Sequence, residues 1–176
     1  MKNKLKLTVV ILFTSLAGYA QRGSTPDSLT LAAMEKIQFL SGNWSGEGWI
    51  QMGKEKHFFS QEEKVESKLK GSVIVIDGLG KEKEGEKIIH QAFAVISYDM
   101  HEKKYMMRAY KADGNYVDAN VTVEDDGSFV WGFTHPQAGQ MKYTIKLIDN
   151  KWVEKGEMNR DGQRWIQFFE MTLNKI

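Results

Sequence analysis

Ten short segments of β-strand character follow one another after Gly42, and this succession constrains the fold more than any other feature. Apolar and polar residues alternate within the segments, and glycine, aspartate and asparagine separate them. The turns, such as Asp113-Gly114-Asn115, are short, so consecutive strands are expected to pair as antiparallel hairpins. The predicted strands cover residues 43–52, 57–69, 72–79, 87–98, 104–112, 115–124, 128–134, 140–148, 151–158 and 164–173.

The short connections favour one of the two common all-β architectures. A sandwich needs longer Greek-key connections, for which the sequence leaves no room. An up-and-down barrel needs only hairpins, and its closure removes both exposed edges of the sheet. We therefore predict an all-β fold, a ten-stranded antiparallel up-and-down β-barrel. About eight strands already enclose space for side chains or one small ligand, so ten strands predict a cavity.

One short helix is predicted ahead of the strands, over residues 28–41. Asp27 or Ser28 can cap it, because either side-chain oxygen can accept a free amide hydrogen of the first turn. Gly42 ends the segment. A single apolar stripe indicates that the helix lies on something larger, as a lid or plug. The stripe consists of Leu29, Ala33, Ile37 and Leu40.

The N-terminus has the pattern of a cleaved signal peptide over residues 1–20. Lys2, Lys4 and Lys6 precede an uncharged apolar run over 7–16, and Gly18-Tyr19-Ala20 then supplies the small residues of a cleavage site. The apolar run is shorter than the roughly 20 residues that span a bilayer, so no membrane span is predicted. Residues 21–27 are interpreted as a linker and residues 28–176 as a single domain. The expected location is periplasmic or secreted.

Composition excludes several classes of partner and cofactor. The chain has no cysteine, which excludes disulfides and thiolate ligands. The predicted signal peptide carries three of the 24 lysine and arginine residues and none of the 23 acidic residues, so the mature chain would be slightly acidic. A slightly acidic chain offers no general attraction to nucleic acid or to anionic lipid.

Two stretches carry short motifs. The first is Phe39-Leu40-Ser41-Gly42-Asn43-Trp44-Ser45-Gly46-Glu47-Gly48, in which a Gly-x-Trp follows a short helix. The second is Ser97-Tyr98-Asp99 with Lys104-Tyr105 and Asp113-Gly114. Together they resemble the lipocalin-like family DUF1579. The resemblance implies a calycin-type barrel of ten strands without an assigned activity, in which the indole of Trp44 closes one end.

The Gly-x-Trp-x-Gly-x-Gly opening is also similar to that of the haem-binding nitrobindins, which ligate haem through a histidine near the C-terminus. This chain departs from that pattern, because its last histidine is His135 and the predicted strand 164–173 has none. The resemblance therefore does not imply haem, and no cofactor is predicted. No histidine pair has zinc-like spacing and no nucleophile elbow is found, so neither a metal site nor a catalytic residue is predicted.

The second predicted strand indicates a polar interior. Its charged set, which includes Glu62 and Lys64, belongs on the solvent face, so Gln61 and Glu63 are expected to point inward. A buried carboxylate needs a cation, a donor or cavity water. Glu154 shares a face with Trp152, so its carboxylate would need such a partner as well.

Alternation along the other strands predicts a counter-charge for the interior carboxylates and an apolar lining of the cavity. Arg108 shares a face with Tyr110 and is the natural partner of the interior carboxylates, while Gln167 shares a face with Phe169. Trp131 is expected in the core or in the cavity lining. The strand over 87–98 gives no preference for either face, so His90 can be inside or outside.

The leading interpretation is a barrel that binds a small apolar or amphipathic molecule beside this polar cluster. An internal structural network with ordered water accounts for the cluster equally well. Two other functions stay open: a small enzyme using Glu63 or Glu154 as a base, and a protein-interaction scaffold. The predicted ligand-binding residues are Trp44, Gln61, Glu63, His90, Arg108, Tyr110, Trp131, Trp152, Glu154, Gln167 and Phe169.

The predicted export can be tested by determining the first residue of the mature protein. The signal pattern predicts cleavage after Ala20, so the intact mass of the exported protein should correspond to a chain that starts at Gln21. A full-length chain that stays in the cytosol would contradict the prediction.

Overall fold

A computed structural model describes residues 25–176, and the predicted signal peptide lies outside the described residues. The described chain contains one α-helix, two single turns of 3-10 helix and ten strands. Helix α1 is Ser28–Glu35, and the 3-10 turns are Gln38–Leu40 and Leu69–Gly71. The strands are β1 (Gly42–Met52), β2 (Glu55–Lys68), β3 (Val73–Glu82), β4 (Ile88–Asp99), β5 (Lys104–Lys111), β6 (Tyr116–Val123), β7 (Phe129–His135), β8 (Gly139–Ile148), β9 (Lys151–Asn159) and β10 (Ile166–Lys175).

The strands form one closed antiparallel barrel, which confirms the predicted fold class. Each strand pairs with its neighbours in sequence, and β1 pairs with β10 to close the sheet. The closing register runs from Trp44 opposite Lys175 to Ile50 opposite Phe169. Short turns join all ten strands, so the connectivity is an up-and-down meander.

The N-terminal helix is shorter than predicted. Asp27 caps it by accepting a hydrogen bond of 2.8 Å from the backbone N–H of Leu29, but α1 ends at Glu35 instead of continuing to residue 41. The apolar stripe also differs, because Leu29 is 59% exposed. The buried stripe instead passes from α1 into the following 3-10 turn, whose tighter winding keeps the apolar side chains against the barrel. It consists of Met34, Ile37 and Leu40.

The helical segment closes one end of the barrel. Trp44 is almost completely buried there, and its indole N–H donates a hydrogen bond of 2.7 Å to the carbonyl oxygen of Leu40. The hydroxyl of Tyr105 donates to the carbonyl oxygen of Ala33 at 2.6 Å, which fixes α1 to β5. The densest part of the core lies at this end. Its fully buried members are Met34, Ile37, Leu40, Ile74, Ile96, Phe129 and Leu173.

Within residues 25–176, no helix lies across the opposite end of the barrel. This end is formed by the turns that follow β1, β3, β5, β7 and β9. Trp131, Tyr143 and Phe169 point inward towards this end but are only partly buried. We refer to this end as the mouth.

Among residues 25–176, no helix combines the length and the apolar character that crossing a bilayer requires.

Candidate functional site

Gln61 and Glu63 lie inside the barrel, as their strand alternation predicts. Strand β2 places Glu63 opposite Trp44 of β1, and both polar side chains are more than 90% buried. The amide nitrogen of Gln61 donates a hydrogen bond of 2.8 Å to Oε1 of Glu63. The other carboxylate oxygen of Glu63, Oε2, is buried and has no hydrogen-bond partner among the described residues.

Two glycines of β3 make room for these side chains. Gly78 lies opposite Glu63, and a Cβ at this position would lie 2.7 Å from Oε2 of Glu63. Gly80 lies opposite Gln61, and its Cβ would lie 2.7 Å from Oε1 of that residue. Neither glycine is among the predicted site residues. The sequence feature that could have identified them is the Gly-x-Gly pair in a strand otherwise rich in β-branched residues, because glycine inside a strand often marks a close approach of another group.

Glu154 of β9 is held by two tryptophans. The indole N–H of Trp152 donates to Oε2 at 3.2 Å, and that of Trp131 donates to Oε1 at 3.3 Å. Trp152 also packs edge-to-face against Trp44, with ring centroids 5.8 Å apart. Glu154 therefore sits at the base of the interior, directly above the indoles that close the barrel. Together with Gln61 and Glu63 it forms what we call the polar floor.

The pKa values of both glutamates are raised. Burial is the main cause for Glu63, with the negative charges of Glu154 and Asp77 adding to it, and its pKa rises to about 8 despite the hydrogen bond from Gln61. Burial also raises the pKa of Glu154 to about 7, against the lowering effect of the two indole donors. Among residues 25–176, neither carboxylate has a lysine or arginine within salt-bridge distance.

Aromatic rings line the interior between the polar floor and the mouth. Trp131 stacks on Tyr143 with ring centroids 4.1 Å apart. Tyr143 meets Phe169 edge-on at 5.9 Å, and Phe169 stacks on Phe59 at 5.7 Å. We call these four residues the aromatic wall. Trp131 and Phe169 lie where they were predicted, whereas Tyr143 was not among the predicted ligand-binding residues.

Arg108 lies outside the barrel, so its predicted role as the interior counter-charge is wrong. The inward side chains of β5 are Tyr105, Met107 and Ala109, which leaves Arg108 on the outer wall. There its Nε donates to Oδ1 of Asp118 at 2.6 Å.

Tyr110 shares the outer face of β5 with Arg108, and it packs against Tyr116 with ring centroids 5.7 Å apart. Arg108 itself lies over the ring of Tyr116, 4.2 Å from its centroid. These residues form an external cluster. Tyr110 is therefore not on the same side of the wall as the polar floor.

Gln167 also faces outward, because β10 contains a bulge. The register against β9 shifts between Gln167 and Phe169, so the two-residue alternation is interrupted there. Phe168 is buried and packs on Tyr143, while Gln167 donates to Oε2 of Glu170 on the outer surface at 2.8 Å. Nothing in the sequence marks the bulge.

His90 belongs to the inward face of β4, which the burial of Ala94 and Ile96 on the same face establishes. It lies near the mouth, opposite Gly80, and remains accessible to solvent. Surrounding protein atoms partly desolvate its ring, and this desolvation lowers its pKa. His90 is thus a mouth residue, at the opposite end of the interior from Trp44.

Two depressions on the outer wall also include interior residues, Trp44 and Glu63 in one and Trp131 in the other. One of about 350 Å³ crosses β1–β4 and is lined largely by outward residues such as Lys64, Asp77 and Gln91. Another of about 240 Å³ lies on β6–β8 beside Trp165. No group of three or more histidine, aspartate or glutamate side chains within residues 25–176 could hold a metal ion.

Comparison with known proteins supports the fold. The structure is similar to Rv2717c from M. tuberculosis, with a TM-score of 0.61 and 11% sequence identity over 82% of this chain and 97% of the other. It is also similar to the S-type phycobiliprotein lyase CPES from Guillardia theta, with a TM-score of 0.58 and 11% identity over 82% and 92% of the two chains. The chain has a lipocalin-like, calycin-type barrel fold.

Sequence comparison adds no family assignment. No family model matches the chain, and no curated protein matches it. Membership of DUF1579 therefore stays a prediction.

The raised pKa values predict that the folded protein loses stability as pH rises. Both glutamates bind protons more tightly in the folded chain, so the loss begins near the unfolded value of 4.5 and is complete above a pH of about 8. Each tenfold difference in proton affinity is worth ~1.4 kcal/mol. The free energy of unfolding, measured by urea denaturation, should therefore fall by a few kcal/mol between pH 4.5 and 8.5.

Glu63→Gln should remove much of this fall and be more stable than the wild type above pH 8. Glu62→Gln, on the outer face of the same strand, is the matched control and should keep the wild-type fall. Parallel curves for wild type and Glu63→Gln would contradict the placement of a desolvated acid at residue 63.

Proposed function

We propose that this barrel binds a small apolar or amphipathic molecule in its mouth half. The observation that carries the proposal is the partial exposure of inward-facing aromatic side chains above a buried polar floor. An apolar surface that faces an enclosed, solvent-accessible interior gains free energy when an apolar molecule replaces water, roughly 25 cal/mol per Å² covered. Lining of this kind with a few convergent polar groups is typical of small-molecule sites.

The arrangement suggests the orientation of the bound molecule. Its apolar part would contact the aromatic wall, while a polar end would reach the polar floor, where Oε2 of Glu63 has no partner among the described residues. A buried polar atom without a partner costs about 1–3 kcal/mol. A ligand group or trapped water that supplies the missing hydrogen bond would recover part of that cost.

A second candidate is an enzyme that uses Glu63 or Glu154 in proton transfer. The observation in its favour is that both pKa values, about 8 and about 7, lie near neutral pH, where a general acid or base is most effective. The displacement of Arg108 to the outer wall weakens this candidate, because the electrophilic partner that it would have supplied is not in the interior. Binding without chemistry is therefore preferred.

We also infer that the protein acts outside the cytoplasm. The inference depends on the basic, apolar and small-residue pattern of residues 1–20. A protein without cysteine is stable against redox differences between compartments, so its composition is compatible with export.

The binding site can be tested by blocking the interior. Ala92 is on the inward face of β4 and pairs with Gly78, so Ala92→Trp would place an indole inside the barrel at the level of the polar floor. We expect the wild type to bind the neutral apolar dye N-phenyl-1-naphthylamine with micromolar affinity, and Ala92→Trp to weaken this binding about tenfold or more. Fluorescence titration measures both.

Gln91→Trp is the control, because Gln91 is the adjacent residue and faces outward. It adds the same side chain without entering the interior and should bind the dye as the wild type does. Circular dichroism confirms that each variant is folded. Absence of dye binding by the wild type, or equal weakening by both variants, would contradict an interior site.

A further inference from the structure

The most informative unexplained atom in the interior is Oε2 of Glu63. Glu63 is only 9% exposed, and Oε2 has no hydrogen-bond partner among residues 25–176. The side-chain amide of Gln61 donates its hydrogen bond to the other oxygen, Oε1. Nearly all buried polar atoms in proteins are paired, so Oε2 needs a partner that the described side chains do not supply and that a bound molecule could provide.

The missing partner must supply a hydrogen rather than accept one when Glu63 is ionised, because a carboxylate is only an acceptor. Within residues 25–176 no cation pairs with either acid, although Nζ of Lys175 lies 5.2 Å from the centroid of the Trp44 ring. The salt bridges of the described residues include neither Glu63 nor Glu154. Arg108, the predicted counter-charge, lies on the outer wall, where it forms a salt bridge with Asp118.

The negative charge of the polar floor determines which class of ligand head group can bind there. Trp44 lies opposite Glu63 and packs against Trp152, which donates to Glu154, so the two acids are neighbours. The negative charge of Glu154 also helps to raise the pKa of Glu63. A ligand carboxylate or phosphate would meet two acids without a counter-charge, and repulsion adds to its desolvation cost. A cation would be attracted by both acids and would replace a proton at the site.

We propose that the Glu63–Glu154 pair recognises a protonated amine, so that the molecule held in the barrel is an amphipathic amine with an apolar tail. This inference rests on the proposed binding function and specifies its ligand class. A primary ammonium group carries a positive charge and N–H donors, so it can donate the hydrogen bond that Oε2 of Glu63 does not receive from the protein. A fatty acid of the same length has neither.

The test compares three head groups on one tail. Decylamine, decanol and decanoate are titrated at pH 7.5 into wild-type protein loaded with N-phenyl-1-naphthylamine, and displacement is followed by fluorescence. We expect decylamine to displace the dye at concentrations about tenfold or more below those of decanol, with decanoate the weakest. Isothermal titration in two buffers of different ionisation enthalpy should also show proton release when decylamine binds.

Glu63→Gln keeps the size and the polar character of the side chain and should abolish the preference for decylamine over decanol. Glu154→Gln is the second variant, in case Glu63→Gln fails to fold, and should reduce the same preference. Glu62→Gln, which faces solvent on the same strand, should leave it unchanged.

The outcomes separate this inference from the proposed function. Dye binding with equal displacement by all three compounds, or strongest displacement by decanoate, overturns amine recognition and leaves the cavity in place. A preference for decylamine that survives in both Glu63→Gln and Glu154→Gln also overturns it. Failure of the wild type to bind the dye overturns the cavity as well.

Discussion

The pairing of β1 with β10 is the interaction on which the rest of the structure depends. It converts a meander with two open edges into a closed wall, so every strand has one face inside and one outside. Gly46 shows how tight the closure is, because a Cβ there would overlap the carbonyl oxygen of Thr172 on β10. Once the sheet is closed, no side chain can change sides without a bulge or a break in pairing.

Closure divides the interior into two unequal halves. The helix and its 3-10 turn fill one end with apolar side chains and seal it with Trp44. The mouth has no such cover within residues 25–176, and most of its aromatic wall is only partly buried. The two acids lie where these halves meet. A fold that is stabilised mainly by apolar burial has retained Glu63 and Glu154 at a cost in desolvation, and such costs are concentrated at functional sites.

Sequence patterns predicted the strands and the inward position of Gln61 and Glu63 because the charged residues of β2 mark its solvent face unambiguously. The pattern of β5 was ambiguous, since Met106 and Met107 are both apolar, and Arg108 was therefore placed on the wrong face. Gln167 was misplaced because a bulge leaves no mark in the residue types. Helical spacing alone would have continued α1, but the helix ends at Glu35 and the apolar stripe continues through a 3-10 turn.

The account depends most directly on the protonation of the two interior glutamates near neutral pH. This can be measured by following the side-chain carboxyl carbons of ¹³C-labelled glutamate through a pH titration of the folded protein, with resonances assigned by Glu63→Gln and Glu154→Gln. The account predicts that Glu63 titrates with a pKa of about 8 and Glu154 with a pKa of about 7. Titration of both near 4.5, the value of an unperturbed glutamate, would contradict a desolvated pair of acids and with it the polar floor.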